Sequence, residues 1–238
     1  MIKNLGVQLY TVRDYLNDPE FADLTFKKLR ELGYTEVQTA GTAFDEFEFG
    51  KLLAKHGLSV VGTHCSLDEI VGQQEKMLEL HRAWGTTNIG IGGMPTARRK
   101  DLATLKEFIA EFNRAAEFYG KHGLKLTYHH HNFEFLRMDG KKTIMDLFCE
   151  EFDPDNISFV LDTCWISAGG GEVVEWMERL AGRLDTLLSE LPSSVLPLLS
   201  SLSVPSSVLP SSMISSSLPL SGLSVASIKP SSTSNDLI

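Results

Sequence analysis

Cysteine is scarce in this chain and badly spaced for cross-linking. Cys65, Cys149 and Cys164 are odd in number and form no CxxC pair, which speaks against a disulfide framework and against a structural zinc site. Positive charge is short as well: 22 Lys and Arg face 31 Asp and Glu, for a net charge of -9. Neither a nucleic acid nor an anionic membrane attracts such a surface, so neither is an expected partner. The opening MIKNLGVQLY lacks a long apolar run with a small-residue cleavage site, and reduced cytoplasm is the expected compartment. No glycine fingerprint follows the first apolar run. Gly90, Gly92 and Gly93 come later and read as a tight turn rather than a phosphate cradle. What these absences leave is a small polar substrate.

What the chain does have is a repeated alternation. Leu5 to Tyr10 reads as a strand, and Asp18-Pro19-Glu20 then supplies an N-cap, a first-turn proline and a first-turn acid. The helix that follows is expected to bury Phe21, Leu24, Leu29 and Leu32 and to stop at Gly33. Gly57, Gly85 and Gly123 each close an amphipathic segment and open the next strand, and Ile157–Thr163 and Leu184–Leu188 continue the series. Seven strands alternating with helices predict a parallel α/β sheet, here a TIM-type (β/α) barrel, and 238 residues suit a fold that takes about 250.

In such a barrel the chemistry sits where strands end. The polar residues follow that rule: Gln8 and Tyr10 end strand 1, Gln38 strand 2, His64 strand 3, His129 and His131 strand 5, and Asp162 strand 6. In LTYHHHNFEF, Leu126 to Phe135, strand alternation turns Thr127, His129 and His131 to one face and Tyr128 and His130 to the other. Glu134 lies just beyond. Two imidazoles on one face with a carboxylate near them suit a divalent metal or proton transfer. Each residue also has a plain alternative: His64 as a satisfied core histidine, Gln8 and Gln38 as hydrogen-bonders inside the barrel, and Trp165 as packing rather than a platform for a sugar's C–H face. Asp162, at the end of the apolar run Phe159-Val160-Leu161, must be paired, protonated or bound to metal.

GVQLYTVRD, GYTEVQTAG, THCS, YHHHNFEF and LDTCW together make the first 188 or so residues similar to the sugar phosphate isomerase/epimerases with a xylose isomerase-like barrel. The resemblance implies a sugar or sugar phosphate as substrate and a divalent metal, often manganese, held from strands 5 to 8 with Asp162 at the strand 6 position. It further implies proton abstraction beside a carbonyl through an enediolate. In that scheme His129, His131 or Glu134 acts as general base or ligand, Asp162, Glu134 and His131 are the candidate metal ligands, and Gln8, His64 and Trp165 orient the substrate. A dehydratase or lyase acting on a keto-sugar or inosose is the near alternative, and an inert truncated barrel is another. An abasic-site endonuclease of the same fold is disfavoured by the acidic charge.

The similarity stops where relatives carry a histidine and a Lys-Asp pair. Here GRLDTL, residues 182–187, runs into Leu188-Ser189-Glu190-Leu191. Residues 189–238 are rich in serine and proline and hold no charge between Glu190 and Lys229, the profile of a disordered or out-of-frame tail. The expectation is therefore a barrel domain over 1–188 that lacks its eighth strand and half of its metal site. Its open edges would invite pairing with a second copy.

Overall fold

The computed structural model describes residues 6–138, 140–190 and 223–227, of which 189–190 and 223–227 contribute backbone only. Seven strands alternate with helices: β1 (Gly6–Gln8), α1 (Pro19–Glu31), β2 (Glu36–Gln38), α2 (Glu46–Lys55), β3 (Ser59–Gly62), α3 (Leu67–Gly72), α4 (Gln74–Trp84), β4 (Asn88–Ile91), α5 (Leu102–Gly120), β5 (Lys125–His129), α6 (Ile144–Glu151), β6 (Ile157–Asp162), α7 (Thr163–Ala168), α8 (Val173–Arg179) and β7 (Leu184–Glu190). Strands β1 to β3 pair in parallel, as do β4 to β7, the arrangement that helical crossovers impose. Beyond β3, Cys65 bridges to Ile91 and its N–H bonds the Gly90 carbonyl at 2.7 Å, joining the two sets.

The eighth place in the sheet is filled. Leu223–Ser227 (β8) lies between β7 and β1 and runs antiparallel to both, which corrects the expectation of a missing strand. It is not the strand that an eighth β/α repeat would supply, because that one would run parallel to its neighbours. Open strand edges present unpaired N–H and C=O groups that a strand of either direction satisfies, and β8 covers both edges expected to lie open. The rest of the tail, 191–222 and 228–238, lies outside the described residues, and so does the expectation of disorder there. β7 itself reaches Glu190, past the expected domain limit.

Local chemistry explains the helix starts. Asp18 accepts from the Phe21 N–H at 2.9 Å with Pro19 behind it, and Ser66–Glu69, Asp101–Thr104 and Thr143–Asp146 form reciprocal capping boxes. α4 ends on Gly85 at φ 70°, a left-handed turn that a side chain disfavours. The predicted face of α1 is corrected: Ala22, Thr25, Phe26 and Leu29 are buried, a true i, i+3, i+4, i+7 stripe, whereas Leu24 is 48% exposed. Most of the core lies between strands and helices, with Phe108, Phe112, Tyr128, Phe148 and Phe152 packed ring against ring behind β5. Among the described residues, Val160 and Leu188 pack with Val61 inside the barrel, and the strand residues Glu36, Gln38, Thr127, Ser158 and Thr186 are buried polar groups. Among the described residues no helix is long and apolar enough to cross a membrane.

One buried histidine holds β3, β4 and α4 together. His81 Nδ1 lies 2.7 Å from the Met77 carbonyl and Nε2 lies 2.9 Å from the Thr63 hydroxyl, which itself accepts from the Gly90 N–H at 3.1 Å. Nδ1 therefore carries the proton, Nε2 accepts one, and the ring is neutral. Burial pushes the His81 pKa below 6.5. The unfolded chain binds a proton near 6.5 that the folded ring refuses, so the stability this ring contributes should fall as pH drops through about 6.5, against the opposite contribution of Glu134, whose raised pKa favours the folded state on acidification. Urea midpoints at pH 7.5 and 5.5 for the native chain and His81→Gln separate the two: acidification should cost the native chain more midpoint, or gain it less, than the variant, and an equal response in both would contradict the arrangement. Thr63→Val leaves a buried N–H and a ring nitrogen unpaired and should cost about 1–3 kcal/mol in the same measurement.

Candidate active site at the C-terminal ends of the strands

Strand alternation and register decide what meets here. Thr127 pairs with Ser158 and His129 with Val160 across β5 and β6, so His129 and Asp162 share the inner face of the barrel. His129 Nε2 lies 3.3 Å from Asp162 Oδ2. Asp162 is fully buried, and its Oδ1 accepts from the Cys164 and Trp165 N–H groups at 3.0 and 3.1 Å as the N-cap of α7. Its own N–H bonds His130 Nε2 at 3.1 Å, which leaves the proton of that outward-facing ring on Nδ1. Burial drives the whole group toward neutrality: it raises the Asp162 pKa, takes His130 down to about 4, and lowers His64, His129 and His131, with the Gly92 backbone partly offsetting the effect on His129.

Three imidazoles converge. The His64 ring stacks on His129 at 4.9 Å, His129 lies 4.8 Å from His131, and His131 lies 5.2 Å from Trp165. His64, His131 and Trp165 are only partly buried, and so they face the mouth. His64 Nε2, His129 Nδ1 and His131 Nδ1 are buried atoms with no hydrogen-bond partner, an expensive state in a protein interior unless a ligand uses them. Gly93 makes room for this packing. At its φ of 145° a Cβ would sit 2.9 Å from His131 Cε1.

The structure does not bring Glu134 into the group. Its carboxylate turns behind β5 and is fully buried, accepting from the Tyr128 hydroxyl at 2.5 Å and from the His131 N–H at 2.7 Å. Burial pushes its pKa up to about 7. Gln8 is also engaged elsewhere, donating to Gln38 Oε1 at 3.1 Å inside the barrel, and Tyr10 has left the strand for the 3-10 segment Leu9–Tyr15, where it is 54% exposed. Reasoning from sequence missed the part of Tyr128, which was legible as the outward residue of β5 but whose bond to Glu134 needed the fold.

The donors present do not fit the divalent metal that the family resemblance implies. Among the described residues no group of three or more His, Cys, Asp or Glu side chains is arranged to hold a metal ion. The reason is local: one Asp162 oxygen caps α7, the other faces His129, and Glu134 points away. Tight catalytic sites use three or more protein ligands.

A model of the xylose isomerase-like TIM barrel matches residues 26–187. The chain belongs to that family. A sugar phosphate isomerase/epimerase from Parabacteroides distasonis is 25% identical at TM-score 0.67, over 79% of this chain and 74% of that one. A D-allulose 3-epimerase from Methylomonas sp. (13% identity, TM-score 0.58, 77% and 71% covered) and a family 2 AP endonuclease from Brucella melitensis (17%, 0.55, 69% and 71%) share the fold. No curated protein gives a significant match. The family is thus that of the xylose isomerase-like barrels, and the fold is one that sugar epimerases and an endonuclease share.

Glu134→Leu should leave the buried Tyr128 hydroxyl and His131 N–H without acceptors and cost at least about 2 kcal/mol in chemical denaturation, at about 1–3 kcal/mol per group. Glu134→Gln, which keeps one acceptor oxygen, should cost less. A loss under about 0.5 kcal/mol for the leucine variant, the range of an uninvolved surface site, would show that the carboxylate is not clamped.

Proposed function

We propose that this chain binds the carbonyl end of a sugar at the mouth of its barrel and moves a proton on the neighbouring carbon, as an isomerase or epimerase does. The observation that supports the reading is the set of buried imidazole nitrogens without partners at His64, His129 and His131, beside the partly exposed Trp165. A neutral imidazole accepts a proton, and the burial that lowers the His131 pKa keeps this ring unprotonated to below pH 6.5. In this scheme His131 Nδ1 takes the C–H proton. The bonding pair moves toward the carbonyl, whose oxygen becomes enolate-like and takes a proton from His64 Nε2–H; in isomerisation His131 then returns its proton to the former carbonyl carbon while the adjacent hydroxyl gives its own proton back to His64, and in epimerisation water delivers a proton to the opposite face while His131 releases its own to solvent. His129, held by Asp162, packs between the two rings and sets their spacing, and Trp165 offers an apolar face to the sugar.

The test is wash-out of the carbon-bound proton from a panel of ketoses in D2O, followed by NMR. Exchange should occur with the native chain and fall about a hundredfold or more in His131→Asn, the usual size of a general-base contribution. Undiminished exchange in that variant would remove His131 from the role. Loss of water from the sugar would instead identify the dehydratase chemistry, which shares the first step. A second reading, a binding remnant without turnover, draws on the lack of a third converging metal donor among the described residues. It predicts that sugars quench Trp165 fluorescence while no proton exchanges.

A further inference from the structure

Arg99 stands at the rim of this site with its charge uncommitted. It belongs to the 3-10 segment Thr96–Arg99 in the loop after β4, and its guanidinium lies 3.8 Å over the Phe133 ring. Phe133 in turn stacks on His131 at 5.5 Å and 11°. Arg99 Nη2 donates to the Thr96 hydroxyl at 2.8 Å, and among the described residues no carboxylate comes within ion-pair distance of it. Its neighbour Arg98 differs in this respect, being bound by Glu107 at 3.2 Å and Glu111 at 2.7 Å. Glu134 feels the Arg99 charge but is buried behind β5 with its oxygens taken by Tyr128 and His131. A half-buried arginine stacked on an aromatic ring is fixed in direction, which suits its planar fork to a bidentate acceptor.

We propose that Arg99, steered by Phe133 and assisted by the Thr96 hydroxyl, binds an anionic group, carboxylate or phosphate, on the end of the sugar remote from the carbonyl that His131 serves. The inference rests on the sugar-binding reading above and adds the charge class of the substrate. A chain of net charge -9 repels an anionic substrate at long range, so such a substrate needs a local cation beside the site.

Calorimetric titration of the full chain with a neutral ketose, its terminal phosphate ester and the ketouronate of the same length tests the assignment and tells the two anions apart. One charged sugar should bind about tenfold or more tighter than the neutral one, the scale of a charge-assisted hydrogen bond. In Arg99→Gln that preference should vanish, the charged and neutral sugars binding alike. Equal binding of all three sugars by the native chain, or a preference that survives in the variant, overturns the proposal. Should Arg99→Gln fail to fold by near-ultraviolet circular dichroism, Arg99→Lys takes its place. Loss of the fork should then cut the preference by about threefold or more, and an undiminished preference overturns the proposal. If no sugar binds at all, the sugar reading fails and inorganic phosphate decides for Arg99 alone. A saturable shift of its Nε–H resonance, with the signal of Arg82, exposed in the last turn of α4, still, supports the anion position; no shift, or equal shifts at both, overturns it.

Discussion

A carboxylate that cannot reach water sets the terms for the barrel mouth. Asp162 is fully buried at the end of β6, and such a group survives only if its neighbours supply what water would have supplied. They do so from two directions: the first turn of α7 gives two N–H groups to one oxygen and His129 approaches the other, while the residue's own backbone N–H donates to His130. His129, the last residue of β5, and His130 just after it, facing opposite sides of the sheet, are thereby both fastened to one residue of β6. The orientation of His131 follows, since its backbone is held by Glu134 and its ring is wedged among His129, Phe133 and Trp165.

The same burial that fixes these rings also sets their chemistry. Low dielectric surroundings disfavour charge on every group in the cluster, so the imidazoles stay neutral and keep lone pairs available. That favours proton transfer and weakens the case for a surrounded metal ion, whose charge calls for more converging donors than the described residues provide. Glu134 shows how closely the two outcomes lie. A carboxylate three residues after His131 could have turned toward the mouth, but the Tyr128 hydroxyl and the His131 N–H offered two bonds on the far side of the strand, and a buried acid goes where its bonds are.

The closure of the sheet depends on backbone pairing rather than on sequence pattern. β8 comes from a stretch whose serine-rich composition carries no strand signal, yet it bonds β7 and β1 from both sides. The edges of β1 and β7 ask only for an extended partner at the right spacing, and the direction of that partner is not encoded in them.

By itself the sequence determined the β/α alternation, the Asp18 cap of α1 and the faces of β5, because these follow from spacing, local hydrogen bonds and the two-residue period of a strand. It also placed His64, His129, His131 and Asp162 at the ends of strands, with Trp165 three residues after Asp162, where the barrel makes them neighbours. Tertiary structure alone decided the rest: that Gln8 would satisfy Gln38, that Leu24 would face solvent, that Glu134 would turn to Tyr128, and that a strand from the tail would run backwards between β1 and β7. Each of these is settled by competition between partners far apart in the chain. A local pattern can list a residue's options, but only the assembled fold fixes which one lies within 3 Å or so and away from water.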